Sequence, residues 1–248
     1  MKVVPVPVWQ DNYAYLIVNE ADRTIGVVDP VDPEKVINAA KPYNFPIEYI
    51  LTTHHHGDHA SGNERMKQLF PDLAVYGGDN RIPAMTHPLK DGDTFKLGSL
   101  SIKALQTFGH TNSSISYYIE DNKDKVVFTG DTLFIAGCGR LFEGTPEQMH
   151  ESLNIKLAAL DKETKVYVGH EYTKSNIKFA LHVDKDNLLL KQKAELYAST
   201  SITVPSTIQN ELDINPFMRV HLPSLQKFTG QTDPIMVLGA LRAMKDKF

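Results

Sequence analysis

The chain has 248 residues, 42% of them hydrophobic and 23% charged, the balance of a soluble globular protein with one large domain or a main domain and an appendage. A formal net charge of −4 and a pI near 6.2 exclude a general electrostatic affinity for nucleic acid or an anionic membrane, so an anionic ligand has to be met by local cations. A single cysteine, Cys138, excludes an intrachain disulfide, and no run approaches the roughly 20 apolar residues that span a bilayer.

The single cysteine points to a reducing compartment, and Met1-Lys2-Val3-Val4-Pro5 and the residues after it lack an apolar signal core and a small-residue cleavage site, so a cytoplasmic home is expected. A monomer is also expected. Runs rich in β-branched residues or tyrosine predict strands over 3–8, 15–18, 24–29, 49–53 and 73–77. Further strands are expected over 100–105, 114–120, 126–129 and 165–168. Between them, Asp32-Pro33-Glu34 places a capping carboxylate before proline at a helix start. Asp91-Gly92 and Asp121-Asn122 are turn signals. Thr145-Pro146-Glu147-Gln148 reads as a capping box that opens a helix running towards Leu160.

Beyond about Tyr172 the pattern turns helical. Helices are expected over 174–183 and 187–198, after a second capping box at Ser206-Thr207-Ile208-Gln209, and from Asp233-Pro234 to Phe248. The residues thus predict an α/β domain over 1–172 and a helical domain over 173–248, with no internal repeat.

The densest chemistry lies in Thr53-His54-His55-His56-Gly57-Asp58-His59. His54, His56, Asp58 and His59 offer three imidazoles and a carboxylate at H-x-H-x-D-H spacing, donors that suit zinc, iron or manganese. His54 and His56 can point to one side of a chain leaving a strand, while Asp58 and His59 fall on the next turn and face a second point. Three more ligand types follow expected strands after a glycine: Gly109-His110, Gly130-Asp131 and Gly169-His170. His54, His56 and His110 then partition to one metal, Asp58, His59 and His170 to a second, with Asp131 bridging. His55, His87, His150, His182 and His221 lack this context and read as ordinary surface or core histidines.

These residues in this order resemble the metallo-β-lactamase superfamily, which implies an αββα sandwich with the metal site at one edge. Thr53–His59, Phe-Thr-Gly-Asp-Thr-Leu-Phe at 128–134, Ala-Gly-Cys-Gly-Arg at 136–140 and Gly-His-Glu-Tyr at 169–172 narrow the resemblance to the glyoxalase II (hydroxyacylglutathione hydrolase) family. So do Asn215-Pro216-Phe217-Met218-Arg219 and the ending Leu241-Arg242-Ala243-Met244-Lys245. The resemblance implies hydrolysis of a glutathione thioester by a metal-bridging hydroxide, S-D-lactoylglutathione giving D-lactate and glutathione in methylglyoxal detoxification. It implies two divalent metals, zinc first, with iron or manganese acceptable, on His54, His56, Asp58, His59, His110, Asp131 and His170. Asp58 and Asp131 are its catalytic carboxylates. Arg140, Tyr172, Arg242 and Lys245 carry over as glutathione contacts. Phe142 departs from a frequent tyrosine, so its hydroxyl is missing.

Glutathione has two carboxylates, so Arg140, Arg242 and Lys245 make charge sense, and Arg242 and Lys245 share a helix face. A thiolate leaves without much help from a general acid, and Cys138 between two glycines reads as a small loop residue. The rival readings are a persulfide dioxygenase-like mono-iron enzyme and a non-catalytic glutathione- or metal-binding protein. Metal content together with thioester turnover separates them.

Overall fold

Asn12–Asn19 is buried at every position, although only 15–18 is expected as strand from sequence. A strand covered on both faces loses the alternation that marks a half-buried one, which is why its ends were not readable. The structure is a computed structural model and describes residues 1–121 and 124–248, so the Asn122 half of the expected Asp121-Asn122 turn lies outside the described residues. Residues 1–106 with 113–130 form one compact unit, and residues 107–112 with 131–248 form another.

In the first unit, β1 (Lys2–Val8), β2 (Asn12–Asn19), β3 (Thr24–Val28), β4 (Ile47–Leu51), β5 (Ala74–Gly77) and β6 (His87–Pro88) make one sheet in sequential order. β1 to β3 pair antiparallel and β3 to β6 parallel, β3 to β4 crossing over through α1 (Pro33–Ala40) and β4 to β5 through α2 (Gly57–Ala60) and α3 (Asn63–Leu69). A second, antiparallel set runs β10 (Lys125–Gly130), β9 (Ile115–Glu120), β8 (Leu100–Gln106), β7 (Thr94–Leu97). The two sets face one another: Tyr15 of β2 packs on Phe128 of β10 at 5.3 Å, and the Tyr117 hydroxyl of β9 donates to the Thr52 carbonyl at 2.8 Å. On the other face of the first sheet, Val36 of α1 and Met66 of α3 close over Leu16, Val27 and Val75. Each such aliphatic side chain taken from water contributes about 1.5–3 kcal/mol.

α1 starts where its capping sequence predicts, the Asp32 carboxylate accepting from the Lys35 N–H. β4 ends at Leu51, two residues short of expectation. The Thr53 N–H leaves the ladder and donates to Asp29 Oδ1 at 2.8 Å. Short β6 and β7 were absent from the sequence reading, because two to four residues are too few to show a period.

In the second unit, β11 (Leu133–Phe134) and β12 (Gly137–Cys138) form a hairpin, and β13 (Lys165–Val168) pairs with β14 (Ser206–Thr207). The remaining elements are helices: α4 (Pro146–His150), α5 (Thr173–Val183), α6 (Leu188–Tyr197), α7 (Ile208–Ile214), α8 (Pro223–Thr229) and α9 (Pro234–Lys245). Thr145 forms the complete capping box. The helix it opens does not continue as α to Leu160, because Glu151–Leu157 widens to a π-helix. There the Ser152 hydroxyl ties back to the Phe108 carbonyl at 2.7 Å. The second capping signal shifts by one residue: Thr207 caps α7 by accepting from Asn210 N, while Ser206 belongs to β14 and turns its hydroxyl to Glu211. Phe179 of α5 stacks on Phe217 at 6.0 Å in the core of this unit.

Asp233 caps α9 by accepting from the N–H groups of Ile235 and Met236. Asp233→Ala should cost about 1 kcal/mol, read as a lower denaturation midpoint with an unchanged denaturant slope.

Candidate metal centre and adjoining cationic cavity

The first unit carries four of the expected ligands on the loop after β4 and on α2. His54 and His59 are fully buried, and His56 and Asp58 are partly exposed. The His54 ring lies 4.8 Å from that of His56 and 4.2 Å from that of His59, and His59 Nε2 is 3.7 Å from Asp58 Oδ2. Such crowding of imidazoles around a carboxylate is a donor set for a divalent cation, not a packing solution.

Their orientation rests on Asp29, which sequence reasoning missed. It ends β3 at φ +46 and is 2% exposed. Its Oδ1 accepts from Thr53 N, and its Oδ2 accepts from the Thr53 hydroxyl at 2.7 Å and lies 2.9 Å from His59 Nδ1. The Thr53 hydroxyl oxygen is in turn 3.0 Å from His54 Nδ1. With Nδ1 engaged on both rings, Nε2 is the nitrogen each presents to a metal. Gly130, at φ +48, is required here, because a Cβ would come within 2.5 Å of the Thr53 hydroxyl. Asn12 donates to the Asp58 carbonyl at 3.0 Å and to its Oδ2 at 3.2 Å. His55 turns instead to Asp79 at 3.4 Å. Asp79 is buried, yet hydrogen bonds from Arg81 and Ser113 hold its carboxyl well below the usual range. The strand-then-Asp pattern of Val28-Asp29 was the available signal for Asp29.

In the second unit, Asp131 Oδ2 lies 3.6 Å from His110 Nε2 and 3.4 Å from His170 Nε2. His110 Nδ1 donates to the Arg140 carbonyl at 2.8 Å, which fixes its Nε2 towards Asp131. The His170 ring stacks on Tyr172 at 4.6 Å, and Phe142 meets the His110 ring edge-on at 5.3 Å.

His110, Asp131, Phe142 and Tyr172 line a cavity of about 390 Å³ that also receives Arg140, Arg242 and Lys245, so all five residues expected to bind substrate reach one space. Arg242 is buried; its Nη1 donates to the Cys138 carbonyl at 2.7 Å and its Nη2 to Asp246 Oδ1 at 2.9 Å. Among the described residues its Nε has no hydrogen-bond partner. Arg140 Nε also donates to Asp246 Oδ1, at 3.1 Å. Burial, together with the neighbouring Arg242 charge, lowers the Lys245 ammonium below the ordinary 10.5. Phe142 is 62% exposed, so a hydroxyl there would meet water and not a packed wall. Burial pushes the Cys138 thiol up to about 11 despite Arg242, which leaves it protonated and inert at neutral pH. Asp246, four residues after Arg242 on the helix, was legible as an ion pair and was not singled out.

Residues 8–170 match the family described as the metallo-beta-lactamase superfamily, and residues 171–248 match the hydroxyacylglutathione hydrolase C-terminus. The chain is 48% identical to the cytoplasmic hydroxyacylglutathione hydrolase of Arabidopsis thaliana, over all of this chain and 99% of that protein. It is 44% identical to the hydroxyacylglutathione hydrolase of Dictyostelium discoideum, over the whole of both. The chain belongs to the hydroxyacylglutathione hydrolase family of the metallo-β-lactamase superfamily. Among solved structures it is similar to ETHE1 from Myxococcus xanthus, with a TM-score of 0.70, 25% identity, and 99% and 98% of the two chains covered. The fold is accordingly the α/β metallo-β-lactamase fold with a C-terminal helical domain, and its His and Asp clusters suit divalent metals. No helix among the described residues is long and apolar enough to cross a membrane.

Proposed function

We propose that this chain hydrolyses the thioester of S-(2-hydroxyacyl)glutathione, S-D-lactoylglutathione giving D-lactate and glutathione in the cytoplasmic disposal of methylglyoxal. The observation that carries the reading is the cavity in which His110 and Asp131 share one space with Arg140, Arg242 and Lys245, with His170 Nε2 3.4 Å from Asp131 Oδ2. Metal-ligand chemistry beside three cations fits a ligand with a reactive carbonyl at one end and carboxylates at the other. Relatives named hydroxyacylglutathione hydrolase, aligned over their full length, support the same activity. On this reading residues 1–172 are the catalytic domain and 173–248 the substrate-binding one.

The donor set fits two divalent metals, zinc first. His54, His56 and His110 would hold one, Asp58, His59 and His170 the other, and Asp131 would be shared. Bound there, the metals supply Lewis acidity at the thioester carbonyl and a hydroxide nucleophile at neutral pH. The chain's own residues do the rest. Asp29, Thr53 and the Arg140 carbonyl hold His59, His54 and His110 by Nδ1, so the rings need no reorganisation. Tyr172 and Phe142 wall the cavity beside His170 and His110. Lys245 and Arg242 line the cavity for a carboxylate. The departing thiolate is a good leaving group, so no general acid is required.

The direct test is metal analysis of the purified chain with hydrolysis of a panel of glutathione thioesters. Two metals per chain and turnover are expected, and chelation should abolish turnover until divalent metal is restored. A fully metal-loaded chain that binds the thioester without cleaving it would leave only a binding protein.

Asp29→Ala should release the His59 ring and lower divalent-metal affinity by about 10–100-fold. Equilibrium dialysis against a competing chelator measures it, and wild-type affinity in the variant would mean the ring is held by other groups.

Lys245 gives a pH dependence. Its lowered pKa means the cation is present below that value and lost as pH rises through it. KM should therefore climb on the alkaline side, before the ordinary lysine value of 10.5 is reached. Lys245→Arg, which stays charged, should flatten that limb. An identical KM–pH profile in the variant would assign the limb to another group.

A further inference from the structure

Glu211 is fully buried and takes no part in the chemistry described so far. Its Oε2 accepts from the Ala136 N–H at 2.8 Å and from Asn215 Nδ2 at 3.0 Å, and its Oε1 accepts from the Ser206 hydroxyl at 2.5 Å. Ala136 sits in the turn of the β11–β12 hairpin at φ +54, a left-handed conformation that a residue with a Cβ keeps only when its surroundings hold it.

The rest of the hairpin is held from the same side. Asn215 Nδ2 also donates to the Phe134 carbonyl at 3.1 Å and the Gly137 carbonyl at 2.9 Å, and Asn176 Nδ2 donates to the Ile135 carbonyl at 3.1 Å. The next carbonyl along, that of Cys138, accepts from Arg242 Nη1. A continuous path of hydrogen bonds thus runs from Glu211 through the hairpin backbone to the guanidinium that faces the cavity.

We propose that Glu211 is a positioning residue for the carboxylate subsite: it fixes the hairpin turn, and the Cys138 carbonyl so placed aims Arg242 at the substrate's carboxylate. This rests on the glutathione-thioester reading above. Burial pushes the Glu211 carboxyl up to about 7, against hydrogen bonds from Ser206, Ala136 and Asn215 that favour the ionised form. Its partners are hydrogen-bond donors, so shape and acceptor oxygens matter more than charge. Glu211→Gln can keep an oxygen towards Ala136 and Asn215, with Ser206 turning from donor to acceptor.

The experiment measures kcat and KM for S-D-lactoylglutathione with metal-loaded protein. Glu211→Leu should raise KM on the order of tenfold with kcat within about threefold, and Glu211→Gln should bring KM back to within about twofold of wild type. In an Arg242→Ala background, Glu211→Leu should change KM by less than about twofold, since the group it aims is gone. An unchanged KM in folded Glu211→Leu overturns the proposal, as does a full effect that persists without Arg242, or a glutamine variant as impaired as the leucine one. Should the leucine variant not fold, Glu211→Asp carries the test. Its carboxylate is one methylene short of Ala136, so KM should rise by about threefold or more, again only when Arg242 is present. Wild-type KM in that variant overturns the proposal. Absence of turnover by wild type overturns the glutathione-thioester reading and this inference with it, whereas turnover with indifferent Glu211 variants overturns the inference alone.

Discussion

A carboxylate that is 2% exposed has to find hydrogen-bond partners, and Asp29 meets that requirement with groups that all belong to the metal-ligand loop. By accepting Thr53 N it draws the chain out of β4, and by engaging His59 Nδ1 it turns that ring outward. Through the Thr53 hydroxyl it reaches His54 as well. Its charge, after burial itself, helps push the Tyr117 phenol well above its ordinary value. That phenol therefore stays a donor to the Thr52 carbonyl. The loop's geometry is set by a sheet residue that would never itself touch a metal.

The cavity in the second unit obeys a charge constraint of its own. Arg140, Arg242 and Lys245 are three cations facing one space, and Asp246 alone neutralises part of them by taking Nε of Arg140 and Nη2 of Arg242 on a single oxygen. Asp246 also attracts the Lys245 ammonium, but desolvation and repulsion by Arg242 outweigh it, and the pKa is lowered. Ring faces shelter the cations, Phe217 under Arg242 at 5.6 Å and Phe179 under Lys245 at 5.4 Å, worth about 0.5–2 kcal/mol each. An arriving carboxylate completes a site that is electrostatically unfinished without it. A neutral ligand would gain nothing from these charges, so on the proposed reading the residues that attract the substrate would also select it.

The elements legible in the sequence were those with strong local chemistry. Asp32, Thr145 and Asp233 cap helices because their side chains and the following residues satisfy orphan N–H groups locally. The ligand types at 54–59, 110, 131 and 170 stood out because imidazole and carboxylate at strand ends have no packing purpose. What stayed hidden depends on residues far apart in sequence. Asp29 meets His59 across thirty positions and Glu211 meets Ala136 across seventy-five, and no spacing rule connects them. The helix after Thr145 was read from its capping box, which says nothing of how the helix continues, and Ala158 N reaches back to Leu153 O, one residue further than an α-helix allows. Ser206 looked like a cap because serine caps helices. Its hydroxyl was instead claimed by a buried carboxylate five residues on.

Two non-glycine residues in the left-handed region, Asp29 at φ +46 and Ala136 at φ +54, stand at the turning points that place these groups. Such conformations cost about 1–2 kcal/mol each. Asp29 bears the strain where its side chain reaches both Thr53 and His59, and aspartate tolerates that region better than most. Ala136 has no polar side chain to help it, so the strain at the hairpin is held from outside, by Glu211 and the two asparagines. In both places a buried carboxylate holds a backbone turn, and on the proposed reading the turn fixes a nitrogen-bearing side chain that would face a ligand. Removing either carboxylate would leave the fold's hydrophobic layers intact while letting the turn relax to ordinary dihedrals. For that reason the effect of such a change should appear in ligand or metal affinity before it appears in stability.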